Sequence, residues 1–361
     1  MDGGESLMAQ MTKRERVMRT IRFEETDRTP VYDIIQNDAL IEHLTGQKLT
    51  AKNGTRLTRK AIAACLDMTR MANGPWGTDR HTDERGITIQ NERWTSWIVA
   101  RPWEDWAGMV EWIKGEIARV NAITYDSAYI AAYHDYIDTC QADFGDDTVL
   151  IMESGTGLEG LYHVVGLEQF SYLLADLPGL VEEWFEAVSA KEIERVHAVA
   201  DPERLPIVLT YTDIAYKTGT IFSPAWLREH YFHRLKRLND AWHEHGSICL
   251  FHSDGNLWAV MDDLIAAGID GLNPLEVLAD MTVRGVREAY PDLFLTGGVD
   301  VSQLLPLGTP DEIRAACREN IDAANGRGYF LGSSTELHWE IPVENIMAMF
   351  ETAWHYEVNQ R

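Results

Sequence analysis

The stretch Ser247–Glu276, SICLFHSDGNLWAVMDDLIAAGIDGLNPLE, constrains the fold more than any other. Its apolar run Ser247–Phe251 reads as a buried strand, which stops at the polar turn His252-Ser253-Asp254-Gly255-Asn256. Trp258, Val260, Met261, Leu264 and Ile265 then mark a helix, and Gly268 suits its C-terminal cap. A second strand, Ile269–Asn273, ends in Pro274-Leu275-Glu276. Side chains alternate along a strand, so His252 and Asp254 share one face while Phe251 and Ser253 share the other. Two successive strands thus carry His, Asp, Asn and Glu at their C-terminal ends, the edge at which parallel α/β folds bind ligands.

The same alternation runs through most of the chain. Strands are expected at 31–35, 148–153, 206–212, 247–252, 269–273, 293–299 and 328–332, with an eighth between 64 and 100. Thr12 with Glu15 three residues on, Ser223-Pro224, and Thr309-Pro310-Asp311-Glu312 signal helix starts. Eight strands alternating with helices predict an α/β protein, a (β/α)8 TIM barrel. A doubly wound sheet is the alternative, and no P-loop supports it. Residues 86–101 alternate and are rich in β-branched and aromatic side chains, which predicts an inserted β-hairpin turning near Asn91-Glu92. Residues 1–11 are expected to form a flexible tail, and 12–361 a single barrel domain.

Composition narrows the partners. The chain of 361 residues has 32 Lys and Arg against 57 Asp and Glu, a formal charge of −25, which excludes nonspecific nucleic-acid binding. Cys65, Cys140, Cys249 and Cys317 form no CxxC pair, which fits a reducing cytoplasm and gives no thiolate metal cluster. The N-terminal stretch has no apolar core of a signal peptide, and no segment approaches the roughly 20 apolar residues of a membrane span.

Several stretches together carry a family likeness. FHSDGNLWAVMDDLIAAGIDGLNPLE, LTGGVDVSQLLPLGTPDEIRAACREN, GYFLGSS, the opening TKRERVMRTIRFEETDRTPV and FSPAWLREHYFHRLKRLNDAWHEHG resemble the uroporphyrinogen decarboxylase (URO-D) superfamily over roughly residues 12–356. The resemblance implies a distorted (β/α)8 barrel with its cleft at the C-terminal strand ends. One branch of that superfamily removes carboxylates from uroporphyrinogen without a cofactor and carries arginines after its first strand. Here that place reads Val31-Tyr32-Asp33-Ile34-Ile35-Gln36-Asn37, with no arginine and an Asp of the wrong sign for a polyanion. The other branch, corrinoid-dependent methyltransferases, binds zinc through His-X-Cys and a Cys near the last strand. Here those positions read His252-Ser253-Asp254 and Ser333-Ser334. The chain therefore resembles a third, less defined group, with demethylase-type methyltransferases as relatives.

This reading gives a set of candidate residues. His252, Asp254 and a further carboxylate, Glu276 or Glu336, are expected to hold Zn2+ or another divalent metal, since catalytic zinc accepts N and O ligands. Asp213, Glu153, His252 and Asp254 are the catalytic candidates. Asn256, Asn273, Asp300, Ser333 and His338 are the substrate-binding ones. Structural alternatives exist: Asp254 can orient His252 and cap the next helix, Asp300 can cap the segment at Ser302, and one of Trp94 and Trp97 covers the cleft or both pack in the core. The implied activity is methyl transfer from a small methoxy or methylamine compound to a corrinoid carried by a partner protein. The alternatives are a cofactor-free decarboxylase and a noncatalytic binding barrel. A homodimer, the state family members often adopt, is the expected assembly.

Overall fold

The computed structural model describes residues 10–145 and 147–357, so the tail expected at 1–11 lies, but for its last two residues, outside the described residues. Tyr329–Ser333, Phe294–Val299, Gly271–Leu275, Ile248–His252, Ile207–Tyr211 and Met152–Gly155 form a parallel six-stranded sheet in that spatial order. Val149–Leu150, just before the last of these, pairs in parallel with Met68–Thr69, the strand expected between 64 and 100. Met68 bridges to Tyr32, and Val31 bridges to Leu331. The eight positions of a distorted TIM barrel are thus joined on the Val31–Tyr32 side by single bridges, not by a continuous ladder. Among the described residues, no helix is long and apolar enough to cross a membrane.

Asp33 explains the break in the ladder. The expected strand 31–35 does not continue past Tyr32; Ile35–Gln36 pairs instead with Leu337–His338. Between them, the Asp33 carboxylate accepts hydrogen bonds from the Ile34 amide at 2.9 Å and from the Ser333 amide and hydroxyl at 2.8 Å each. A side chain here takes the place of backbone pairing and pins the first strand to the last. Burial pushes the Asp33 carboxyl up to about 7, against the lowering effect of those donated bonds. The folded chain then binds more protons than the unfolded chain between roughly pH 4 and 7. Stability from this group therefore falls as pH rises through that window. Asp33→Asn is expected to flatten the slope. Asp33→Ala is expected to cost roughly 1–3 kcal/mol for each Ser333 donor it orphans. Urea denaturation at pH 5 and pH 8 checks both.

The barrel interior explains why the chemistry sits at one end. Val149, Ile151, Ile207, Leu209, Leu250, Phe294 and Phe330 point inward, and Val17 and Ile21 at the N-terminal helix Lys13–Thr20 close the lower end. Cys249 faces the other way, into a separate outer layer with Val208 and Trp242. Further along the same strands the inward positions become polar: Tyr211, His252 and Asn273 stand side by side in register.

The expected helix caps form: Ser223 accepts from the Trp226 amide, and Thr309 and Glu312 make a reciprocal capping box. The inserted hairpin is part of a three-stranded antiparallel sheet, Asp79–Thr82, Thr88–Glu92 and Thr95–Ala100. It turns at Arg93-Trp94, two residues later than expected, because the buried Trp94 indole donates to Asp38 Oδ1 at 2.8 Å. Asp38 opens the helix that follows Gln36, so this sheet sits beside the upper, C-terminal end of the barrel. Trp97 is about half exposed.

Candidate active site

His252 closes its strand between Tyr211 and Asn273. The buried ring places Nδ1 2.7 Å from Asn273 Oδ1, while the Asn273 amide nitrogen donates to Thr296 Oγ1. With that nitrogen spent on Thr296, the Asn273 oxygen accepts, so His252 Nδ1 carries the proton and Nε2 offers a lone pair. Nε2 faces Asp213 Oδ1 at 3.7 Å. Burial, helped by Arg70 and opposed by Asp213, lowers the imidazole to about 4, so it is neutral at pH 7.

Asp254 follows on the same face, as strand alternation predicts. Its amide donates to Asp213 Oδ1 at 3.0 Å, and the Gly255 amide donates to Glu276 Oε2 at 2.8 Å. A Cβ at Gly255, where φ is 91°, would stand 2.5 Å from the Tyr216 amide nitrogen, so the tight turn that aims Asp254 requires glycine. Asp254 Oδ1 is buried and accepts no hydrogen bond. Burial, with Asp213, Glu276 and Glu336 nearby, pushes the Asp254 carboxyl up to about 8. One donor atom each from Asp213, His252 and Asp254 lie within 4.8 Å of one another.

This arrangement fits a divalent cation. It offers an imidazole nitrogen fixed by the Asn273 amide behind it, an unpartnered buried carboxylate oxygen, and negative charge that a cation would relieve. The N,O,O donor set suits zinc or a harder divalent ion. The third carboxylate or imidazole within that 4.8 Å is Asp213, expected as a catalytic acid, in place of the expected third ligand, Glu276 or Glu336. Glu276 accepts from the Gly255 amide, and Glu336 is one of the charges around Asp254, but neither belongs to the group whose donor atoms converge. Asn273→Ala is expected to weaken metal binding about 10–100-fold through loss of the ring's anchor; calorimetric titration measures it.

The remaining candidates divide. Glu153 is half exposed and pairs with Arg70 Nη1 at 2.9 Å. Asn273 and Ser333 bond neighbouring strands, the latter through Asp33. Three candidates for substrate contact hold backbone instead. Asp300 accepts from the Ser302, Gln303 and Leu304 amides. Asn256 bridges Ala279 O and the Trp258 amide. His338 accepts from the Glu340 amide and faces Val301 O.

Three site residues escaped the sequence reading. Arg70 brings a guanidinium into a site expected to have none; it follows a strand of only two residues, Met68–Thr69, rather than the first strand. Glu159 accepts from the Asp213 amide at 3.3 Å, and burial beside Asp213 raises its pKa. Tyr32 lies inside the barrel next to Arg70. Glu159 belongs to Gly155-Thr-Gly-Leu-Glu-Gly160, whose spacing mimics a dinucleotide fingerprint. In the barrel its first two glycines are packing positions: a Cβ at Gly157 would meet Val188 at 2.3 Å and one at Gly155 would press on the Tyr211 ring, while one at Gly160 would meet nothing. They border a cavity of about 460 Å³ beside Glu153 and Tyr211.

Comparison with known proteins agrees with this architecture. No curated protein matches the chain by sequence. Among solved structures, a methyltransferase from Methanosarcina mazei superposes with a TM-score of 0.66 at 17% identity, covering 95% of this chain and 98% of that one. A sugar phosphate isomerase/epimerase from Parabacteroides distasonis gives 0.38 at 10% identity over 91% and 96% of the two chains, too low a score to bear on the fold. The family model for uroporphyrinogen decarboxylase (URO-D) matches residues 114–356, a segment that includes Glu153, Asp213, His252, Asp254, Glu276 and Glu336. With two thirds of its length matched and the site inside the match, the chain belongs to the uroporphyrinogen decarboxylase family.

Proposed function

We propose that this chain is a metal-dependent enzyme that moves a methyl group from a small methoxy or methylamine compound to a corrinoid carried by a partner protein. The observation that carries this reading is the His252–Asn273–Thr296 relay set against the unpartnered Asp254 oxygen, with Asp213 between them. His252, Asp213 and Asp254 would hold the ion, which supplies Lewis acidity toward the heteroatom that gives up its methyl group. Asn273 keeps Nε2 unprotonated, and Glu276 fixes the Asp254 turn through Gly255. Glu159, whose carboxyl pKa is raised by burial next to Asp213, is the candidate general acid for the leaving heteroatom. Exposed Trp76, Tyr216, Leu278, Leu307 and Trp339 all follow barrel strands and give the cleft's rim apolar surface for a corrinoid protein. The methyltransferase of like fold supports the same reaction class.

Uroporphyrinogen decarboxylation fits less well. Glu153, Glu159, Asp254 and Glu336 lie around Arg70, with Asp213 and Glu276 beside Asp254, and a polyanion needs the opposite balance. The deciding assay mixes metal-loaded protein, a reduced corrinoid protein and a methylated donor, and follows the cobalt spectrum. Methyl–cobalt formation is expected, with loss in His252→Ala. Coproporphyrinogen formed from uroporphyrinogen, without methyl transfer, would establish the decarboxylase instead.

A further inference from the structure

Among the described residues, the buried polar atoms without a hydrogen-bond partner include Asp254 Oδ1, the Tyr32 phenol oxygen and Arg70 Nε. The first belongs to the metal-binding half. The other two are donors on adjacent strands. Tyr32 bridges to Met68, and Arg70, two residues beyond Met68, projects to the same inward side. Tyr32 is 3% exposed and the Arg70 side chain 16%. Glu153 takes only Nη1 of the guanidinium, and Tyr32, Asp254 and Glu336 are among its other charged or ionisable neighbours. Leaving such donors unmet in a water-poor place is costly. A guest that presents oxygen acceptors removes that cost.

We infer that Arg70 and Tyr32 form a second half of the site, which binds a carboxylate carried by the methyl donor at the end remote from its methyl group. A carboxylate matches a guanidinium Nε beside a phenol, since it accepts from N–H and O–H alike and both of these are unpartnered. Its charge is compatible with the site once an ion on His252, Asp213 and Asp254 offsets those two carboxylates, so metal and carboxylate binding reinforce each other. The order of the two halves along the substrate rests on the proposed methyl transfer; the carboxylate subsite itself does not.

The test is calorimetric titration of zinc-loaded protein with acetate and benzoate, and with the neutral acetamide and benzamide, in the wild type, Arg70→Gln and Tyr32→Phe. At least one acid is expected to bind about tenfold or more tighter than its amide. Arg70→Gln should erase that preference, and Tyr32→Phe should weaken acid binding about threefold or more while amide binding stays unchanged. Equal binding of acid and amide, no binding of either acid, or a preference that survives Arg70→Gln overturns the inference; the last result would place the acid on the metal alone. Should Arg70→Gln fail to fold, as judged by circular dichroism, Tyr32→Phe decides by the same readout. No corrinoid or methyl donor is present, so this result stands apart from success or failure of the methyl-transfer assay.

Discussion

Replacing Asp254 by asparagine is expected to separate stability from function. Metal affinity should fall by more than the roughly 100-fold that loss of a ligand's hydrogen-bond partner can cost, because a ligand itself is removed. Methyl transfer should fall with it. The fold should gain. Asp254 is a largely buried carboxyl whose pKa is raised to about 8 by burial and by Asp213, Glu276 and Glu336. A raised folded pKa means that its stability contribution declines as pH climbs from roughly 4 to 8, where the unfolded chain releases the proton first. Asparagine never ionises, so the metal-free variant should melt higher than the metal-free wild type at pH 8.5 and differ less at pH 5. Thermal melts by circular dichroism at the two pH values, run with a zinc titration, test both halves. Such a trade is expected where a site holds charge for a ligand.

The largest loss of stability is expected at the opposite end of the barrel. Asp67, with no solvent exposure, accepts from Arg16 Nη1 at 2.6 Å, from both terminal nitrogens of Arg28 at 2.8 and 2.9 Å, and from the Val31 amide at 2.8 Å. Arg16, 2% exposed, also engages Asp27 through Nε and Nη2. The network ties the N-terminal helix, whose Val17 helps floor the barrel, to the strand positions at Val31 and Met68. Asp67→Ala would leave a buried guanidinium short of its counter-charge, and breaking such a pair costs about 3–5 kcal/mol. Urea denaturation should show that loss, with zinc affinity unchanged while the chain remains folded, since His252, Asp213 and Asp254 lie at the other strand ends.

What the sequence made legible was periodic. Alternation placed His252 and Asp254 on one face at a strand's end, and both fall in the Asp213–His252–Asp254 group. Apolar runs located the long strands, and helix caps at Ser223 and Thr309 formed as their residues predict. What depends on register or on distant partners was not legible. Asn273 becomes the anchor of His252 only because two strands align them. Asp33 shows its charge in the sequence but not its direction, which is set by Ser333, 300 residues away. Arg70 follows a strand of two residues, too short for any pattern. Asp300 could be read as substrate contact or cap, and the three amides it accepts place it as a cap.

The central claim is that His252, Asp213 and Asp254 bind one divalent ion. Titrating zinc into metal-free protein at pH 7, in buffers of different ionisation heat, measures stoichiometry and proton release together. The account predicts one ion per chain, proton release as Asp254 ionises, and no comparable binding in His252→Ala. A wild-type chain that binds no ion, or a His252→Ala variant that binds it equally well, would contradict it.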